Sequence, residues 1–107
     1  MRNVFAIVLA GLLIITGCVQ LSHISGPSLF AFHATWCPAC QSDKLLLIEI
    51  SKEYPITEID FESQHYIASQ YHVSYLPTYI VFSDGEEIMR TMNLRKAFQM
   101  LHSLGQQ

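Results

Sequence analysis

Residues 36–40 read WCPAC, and they follow directly on the apolar run SLFAFHAT at 28–35. Two thiols three positions apart, beside a tryptophan and just after a stretch that reads as a buried strand, admit three explanations. They are a redox pair, half of a metal site, or packing. The totals narrow the field without deciding it. A chain of 107 residues holds one domain at most. Half of the residues are hydrophobic and 14% are charged, a globular composition rather than a disordered one. A net charge of −3 provides no basic field, which argues against nucleic acid as a partner. The cysteines are Cys18, Cys37 and Cys40, an odd count and far from the dense framework of a disulfide-stapled secreted domain.

Working outward from the motif, LFAF at 29–32 is a short buried-strand run. Downstream, 41–54 is good helix material, with Leu46, Leu47, Ile50 and Tyr54 on one stripe, and Pro55 stops it. ITEIDF at 56–61 alternates apolar and polar residues and reads as a strand. Ser63 is placed to cap a short helix through 64–73, with Ile67, Ala68 and Tyr71 inward. TYIVF at 78–82 and EEIMRTM at 86–92 form a hairpin around SDG, with Gly85 taking the positive φ. Asn93 caps a last helix in which Leu94, Ala97, Phe98, Leu101 and Leu104 keep helical spacing, and Gly105 ends it. The predicted order is β-α-β-α-β-β-α.

That order, with Trp36-Cys37-Pro38-Ala39-Cys40 at the first strand-to-helix junction and Leu76-Pro77-Thr78 opening the hairpin, resembles the thioredoxin family over roughly Ser28 to Leu104. The resemblance implies an α/β fold close to its minimal core, a central mixed four-stranded sheet with flanking helices. It implies a thiol–disulfide oxidoreductase whose redox-active group is a Cys37–Cys40 disulfide, with no other cofactor and no metal. It also implies a cis Leu76–Pro77 bond lying against the active-site sulfurs, where extended backbone can pair with a substrate peptide as an added strand.

Thiol chemistry suits these positions. Residues i and i+3 on a helix lie about 5 Å apart between Cα atoms, inside the span a disulfide accepts. Cys37 at the helix start meets unpaired N–H groups and the positive end of the helix dipole, which favour a thiolate. It is therefore expected to be the exposed nucleophile, with Cys40 the shielded, resolving thiol. Pro38 fits the first helical position. Trp36 is expected to wall the sulfurs, and the Pro38-Ala39 pair bears on thiolate stability.

The chain also departs from the family. The buried aspartate many thioredoxins carry six residues before the first cysteine is Ala31 here, and the lysine that accompanies it on the next strand would fall at Ile56. The usual proton acceptor for Cys40 is thus absent. Asp43 and His33 are the nearby substitutes, although Asp43 reads more simply as a solvated helix residue and His33 as a surface or strand-edge one. Asn93 stands where a glycine often precedes the last helix, a position it suits because asparagine tolerates left-handed dihedrals.

The N-terminus carries a separate signal. Arg2 precedes an apolar run from Val4 to Ile15, about 18 Å of helix against the roughly 30 Å of a bilayer core, which is signal-peptide length. Ile15-Thr16-Gly17-Cys18 resembles the bacterial lipobox, which implies cleavage before Cys18 and lipid on its sulfur. The expected organisation is a signal peptide or anchor at 1–17, a tether at 18–27 and a thioredoxin-like domain at 28–107. An exported, membrane-associated monomer of a bacterial envelope or periplasm follows, with cysteine-bearing protein substrates and an upstream thiol redox partner. Two alternatives stand beside it. One is a non-catalytic thioredoxin-fold interaction protein. The other is a metal module using Cys37, Cys40, His33 and His65 or His72.

Overall fold

The computed structural model describes residues 25–106, so the 1–17 segment, Cys18 and most of the tether lie outside the described residues. The elements are β1 (Pro27–His33), α1 (Pro38–Ser42), α2 (Lys44–Ser51), β2 (Ile56–Asp60), α3 (His65–Gln70), β3 (Thr78–Ser83), β4 (Glu86–Thr91) and α4 (Leu94–Gly105). The four strands form one mixed sheet in the order β2-β1-β3-β4. β1 runs parallel to β2 and antiparallel to β3, and β3 and β4 close the hairpin. This is the thioredoxin-like architecture that the motif order implied.

Strand alternation sorts the core into two faces. Leu29 and Ala31 of β1, with Tyr79 and Val81 of β3, face Leu47 and Ile50 of α2 and Leu94, Ala97 and Leu101 of α4. Phe32, Ile80 and Phe82 point the other way and meet Ala68 of α3 and Val73. Because both faces are covered, β1 and β3 are apolar almost throughout, which is why 29–32 and 78–82 read as continuous runs. At the hairpin Asp84 and Gly85 both take positive φ, 52° and 83°, the pairing a two-residue turn of matching twist requires. Asp84 also accepts from the Gly26 backbone N–H at 2.7 Å, which ties the start of β1 to this turn.

Local differences from the sequence reading have physical causes. The 41–54 helix is divided at Asp43, whose φ of −83° and ψ of −8° interrupt the regular turn between α1 and α2. Ser63 is not the cap of α3; the helix starts at His65 from Gln64, whose side chain instead accepts from the Asp60 backbone N–H. Asn93 does cap α4, accepting from the Arg95 and Lys96 N–H groups, but its φ of −103° makes no use of left-handed freedom. Gly105 is the last residue of α4, as expected, but without the positive φ of a glycine cap; a Cβ there would come within 3.2 Å of the Tyr54 hydroxyl.

Candidate active site

β1 delivers the chain to Ala34, and a turn closed by the Cys37 N–H on the Ala34 carbonyl at 3.3 Å carries it to α1. Cys37 is the N-cap, with extended backbone, and Pro38 occupies the first turn, where its missing N–H costs nothing. The Cys37 Sγ accepts the backbone N–H of Cys40 at 3.2 Å. The two sulfurs are joined in a disulfide across a Cα–Cα distance of 5.3 Å. In this oxidised form the expected contrast in exposure is not present, because Cys37 and Cys40 are 4% and 5% exposed. What separates them is the donor: the helix N-terminus directs its N–H at Cys37.

The remaining motif residues surround the pair unequally. Ala34, Cys37 and Cys40 form a small buried cluster against which Leu76 and Phe61 pack. The Leu76–Pro77 peptide bond is cis. Pro77 and Thr78 are buried, and the Thr78 hydroxyl donates to the Tyr75 carbonyl, fixing the loop before β3. Leu76 makes no backbone–backbone hydrogen bond among the described residues. Trp36 is 59% exposed and Tyr75 70% exposed, so neither is spent on the core. Pro38 and Ala39 are exposed in the first turn of α1.

Beneath the pair lies a row of three residues on adjacent strands. Ala31 is in register with Glu58 of β2 on one side and with Tyr79 of β3 on the other. The position beside Ala31 is thus Glu58; Ile56, expected there, pairs with Leu29 two residues earlier. Asp43 is not a solvated helix residue either. It accepts a hydrogen bond from the Tyr79 hydroxyl at 2.7 Å, linking the joint between α1 and α2 to the sheet. Burial, together with the hydrogen bond and charge of Asp43, pushes the Tyr79 phenol well above its ordinary value. Nothing local in the sequence signals this contact, because its partners are 36 residues apart.

His33 is half-buried at the end of β1, with its Nε2 at 4.0 Å from a Glu58 carboxylate oxygen. His65 stands edge-on to Phe61 with ring centroids 4.9 Å apart, and His72 holds a left-handed φ of 56° after α3. Among the described residues no group of three or more His, Cys, Asp and Glu side chains is arranged to hold a metal ion. No described helix is long and apolar enough to cross a membrane.

Comparison with known proteins gives a consistent result. A family model described as Thioredoxin matches residues 19–105. A thioredoxin of Chlamydia trachomatis is 38% identical over 77 residues, covering 69% of this chain and 76% of its own. A thioredoxin-like protein of Synechocystis is 30% identical over 82 residues, covering 73% of this chain and 78% of its own. Among solved structures, thioredoxin from Trypanosoma brucei brucei superposes with a TM-score of 0.71 at 22% identity, covering 78% of each chain.

Proposed function

The chain belongs to the thioredoxin family and is a thiol–disulfide oxidoreductase, and from that premise we infer the roles of its two sulfurs. The Cys37 thiolate attacks one sulfur of a protein disulfide, forms a mixed disulfide and releases the other substrate sulfur as a thiolate. Cys40 then attacks the Cys37 sulfur. The Cys37–Cys40 bond forms, the bond to substrate breaks, and the second substrate thiolate leaves. Two protein thiols are oxidised as one substrate disulfide is reduced, and the reverse steps oxidise a dithiol. An upstream thiol partner resets the pair, with no cofactor beyond it.

One observation carries the assignment: the Cys40 N–H is aimed at the Cys37 sulfur from the first turn of α1, at 3.2 Å. A thiol so placed loses its proton more readily than an ordinary one near 8.5. Trp36 and Tyr75, neighbours in sequence of Cys37 and Leu76, give substrates exposed aromatic surface, and the unpaired backbone of Leu76 can take a substrate segment as an added strand. Thr78 holds that loop in place, and Pro38 and Ala39 shape the turn that carries the thiolate. In dithiothreitol-driven insulin reduction, Cys37→Ser abolishes turnover and Cys40→Ser accumulates mixed disulfide. The opposite pattern would reverse the roles.

We place the domain at a membrane by lipid on Cys18, as an exported monomer acting on cysteine-bearing envelope proteins. The support is the short apolar segment before Ile15-Thr16-Gly17-Cys18 and the anchoring strength of two acyl chains, at about 0.8 kcal/mol per buried CH₂. Mass spectrometry of the membrane fraction tests it. An acylated N-terminus at Cys18 supports the tether, and a soluble chain retaining Met1 removes it.

A further inference from the structure

Resolution of the mixed disulfide requires Cys40 to shed a proton while covered by protein. In the disulfide form Cys40 is 5% exposed. A hollow of about 30 Å³ beside it is lined by Ala31 and Leu47 together with His33, Glu58, Lys44 and Tyr79. The hollow exists because the row Glu58–Ala31–Tyr79 has its smallest side chain in the middle, directly under α1. Its volume suits one water molecule, and its walls offer polar partners.

Of the groups around it, few can take a proton at neutral pH. The Lys44 ammonium already carries one. The Tyr79 hydroxyl donates its hydrogen to Asp43, and so occupies the carboxylate nearest α1. The Gln41 amide is turned away toward the Ala34 and Thr35 carbonyls. The Asp60 carboxylate, on the residue in register with His33, accepts from the Glu62 backbone N–H. Two groups remain, the Glu58 carboxylate and the His33 imidazole 4.0 Å from it. A carboxylate is the weaker base, so the imidazole takes the proton and Glu58 stabilises it once protonated. An imidazole is the side chain whose ordinary titration lies closest to neutrality.

We propose that His33, supported by Glu58, accepts the Cys40 proton through one water held in this hollow. The Cys40 S–H bond breaks, its proton passes to the water, and a water proton passes to the imidazole. The thiolate then attacks the Cys37 sulfur and the substrate sulfur leaves with the bonding pair. The imidazolium returns its proton to solvent. The inference rests on Cys40 being the resolving thiol, and Glu58 acts only through His33, as a positioning residue.

The test uses the reduced protein and an aromatic disulfide whose released thiol is coloured. Stopped-flow absorbance then separates the Cys37 phase from the Cys40 phase. Cys40→Ser must abolish the second phase; if it does not, the assignment of Cys40 fails first and independently. With that established, His33→Gln should slow the second phase at pH 7 at least roughly tenfold and leave the first unchanged. Its rate should then climb with pH into the thiol range, and added imidazole should restore part of it. Ala31→Val, which fills the hollow and keeps the histidine, should show the same pH profile without imidazole rescue. Glu58→Gln separates the relay from simple charge proximity. Loss of a neighbouring negative charge alone makes Cys40 easier to ionise and speeds the second phase, whereas loss of support for His33 slows it. A second phase in His33→Gln with wild-type rate and pH profile overturns the proposal.

Discussion

The face of the sheet toward α3 is an aromatic layer. Phe30 packs on Phe82 and Tyr71 with ring centroids 4.8 Å and 5.3 Å apart, and Phe32 is fully buried among them. The face toward α1 and α2 carries an alanine between a glutamate and a tyrosine, with a histidine further along. Rings fill the first face; polar side chains and a water-sized hollow mark the second. A packed face can tolerate no polar residue without a partner. The face under the cysteines keeps polar residues because Tyr79 has Asp43 as its partner, while His33 and Glu58, 4.0 Å apart, both reach solvent. Stability and chemistry are divided between the two sides of four strands.

Substitutions on the two faces should therefore separate stability from activity. The largest effect is expected from Phe32→Ala, which empties a fully buried ring site on the α3 face and should cost about 3–5 kcal/mol. Urea titration reads the loss, and turnover per folded molecule should stay at the wild-type level. A fall in turnover beyond the folded fraction would mean that the faces are not independent.

Ala31→Asp examines the opposite face. It places a carboxylate between Glu58 and Tyr79, and desolvation should cost about 1–3 kcal/mol. A negative charge beside Cys40 should raise the apparent pKa of that thiol, since two like charges are disfavoured together. Alkylation rate against pH measures the shift. A variant as stable as wild type would show that the hollow hydrates the new charge.

The motif, the order of elements, the hairpin and the Asn93 cap were legible because each rests on local chemistry. Cys37 and Cys40 share one helical turn, and positive φ selects residues such as Asp84-Gly85. What could not be read is what strand register decides. Glu58 and not Ile56 stands beside Ala31 because β1 and β2 pair as Ala31↔Glu58. A slip of two residues leaves the alternation of β2 unchanged, so periodicity carries no information about it. Asp43 looked solvated for a related reason: its partner, Tyr79, arrives from a distant strand. In the disulfide form both sulfurs are buried, with Leu76 and Phe61 packed against their cluster, a contact between segments distant in sequence that local spacing does not carry.

Tyr79→Phe removes one hydroxyl and leaves the ring in place. The lost hydrogen bond to Asp43 should cost about 1 kcal/mol at neutral pH. The alkaline limb carries a clearer signature. The folded-state phenol is held above its ordinary value, so its contribution is complete below about pH 10, where the unfolded phenol begins to ionise. It is lost progressively above that pH. Wild-type stability should fall more steeply than that of Tyr79→Phe between about pH 10 and 12. Parallel curves would show that the phenol is neither buried nor held by Asp43 in solution.

The smallest effect belongs to the α3 side, where Arg90 of β4 donates to the Tyr71 carbonyl at 3.0 Å and forms an ion pair with Glu87 at 2.8 Å. The guanidinium's hydrogen bond holds the Glu87 carboxyl below its ordinary range. A depressed carboxyl stabilises the fold above its unfolded pKa, near 4, and loses that contribution as the pH falls through the folded value. The pair is largely exposed, so Glu87→Gln should cost only about 0.2–1 kcal/mol at pH 7 and less again at pH 3. Arg90→Ala removes the Tyr71 contact as well, and that part does not titrate in this range. Its deficit should therefore exceed that of Glu87→Gln at pH 7 and should not close at pH 3. Thermal unfolding of both variants at the two pH values makes the measurement. Equal deficits that vanish together in acid would mean that Arg90 serves Glu87 alone and does not fasten α3 to the sheet.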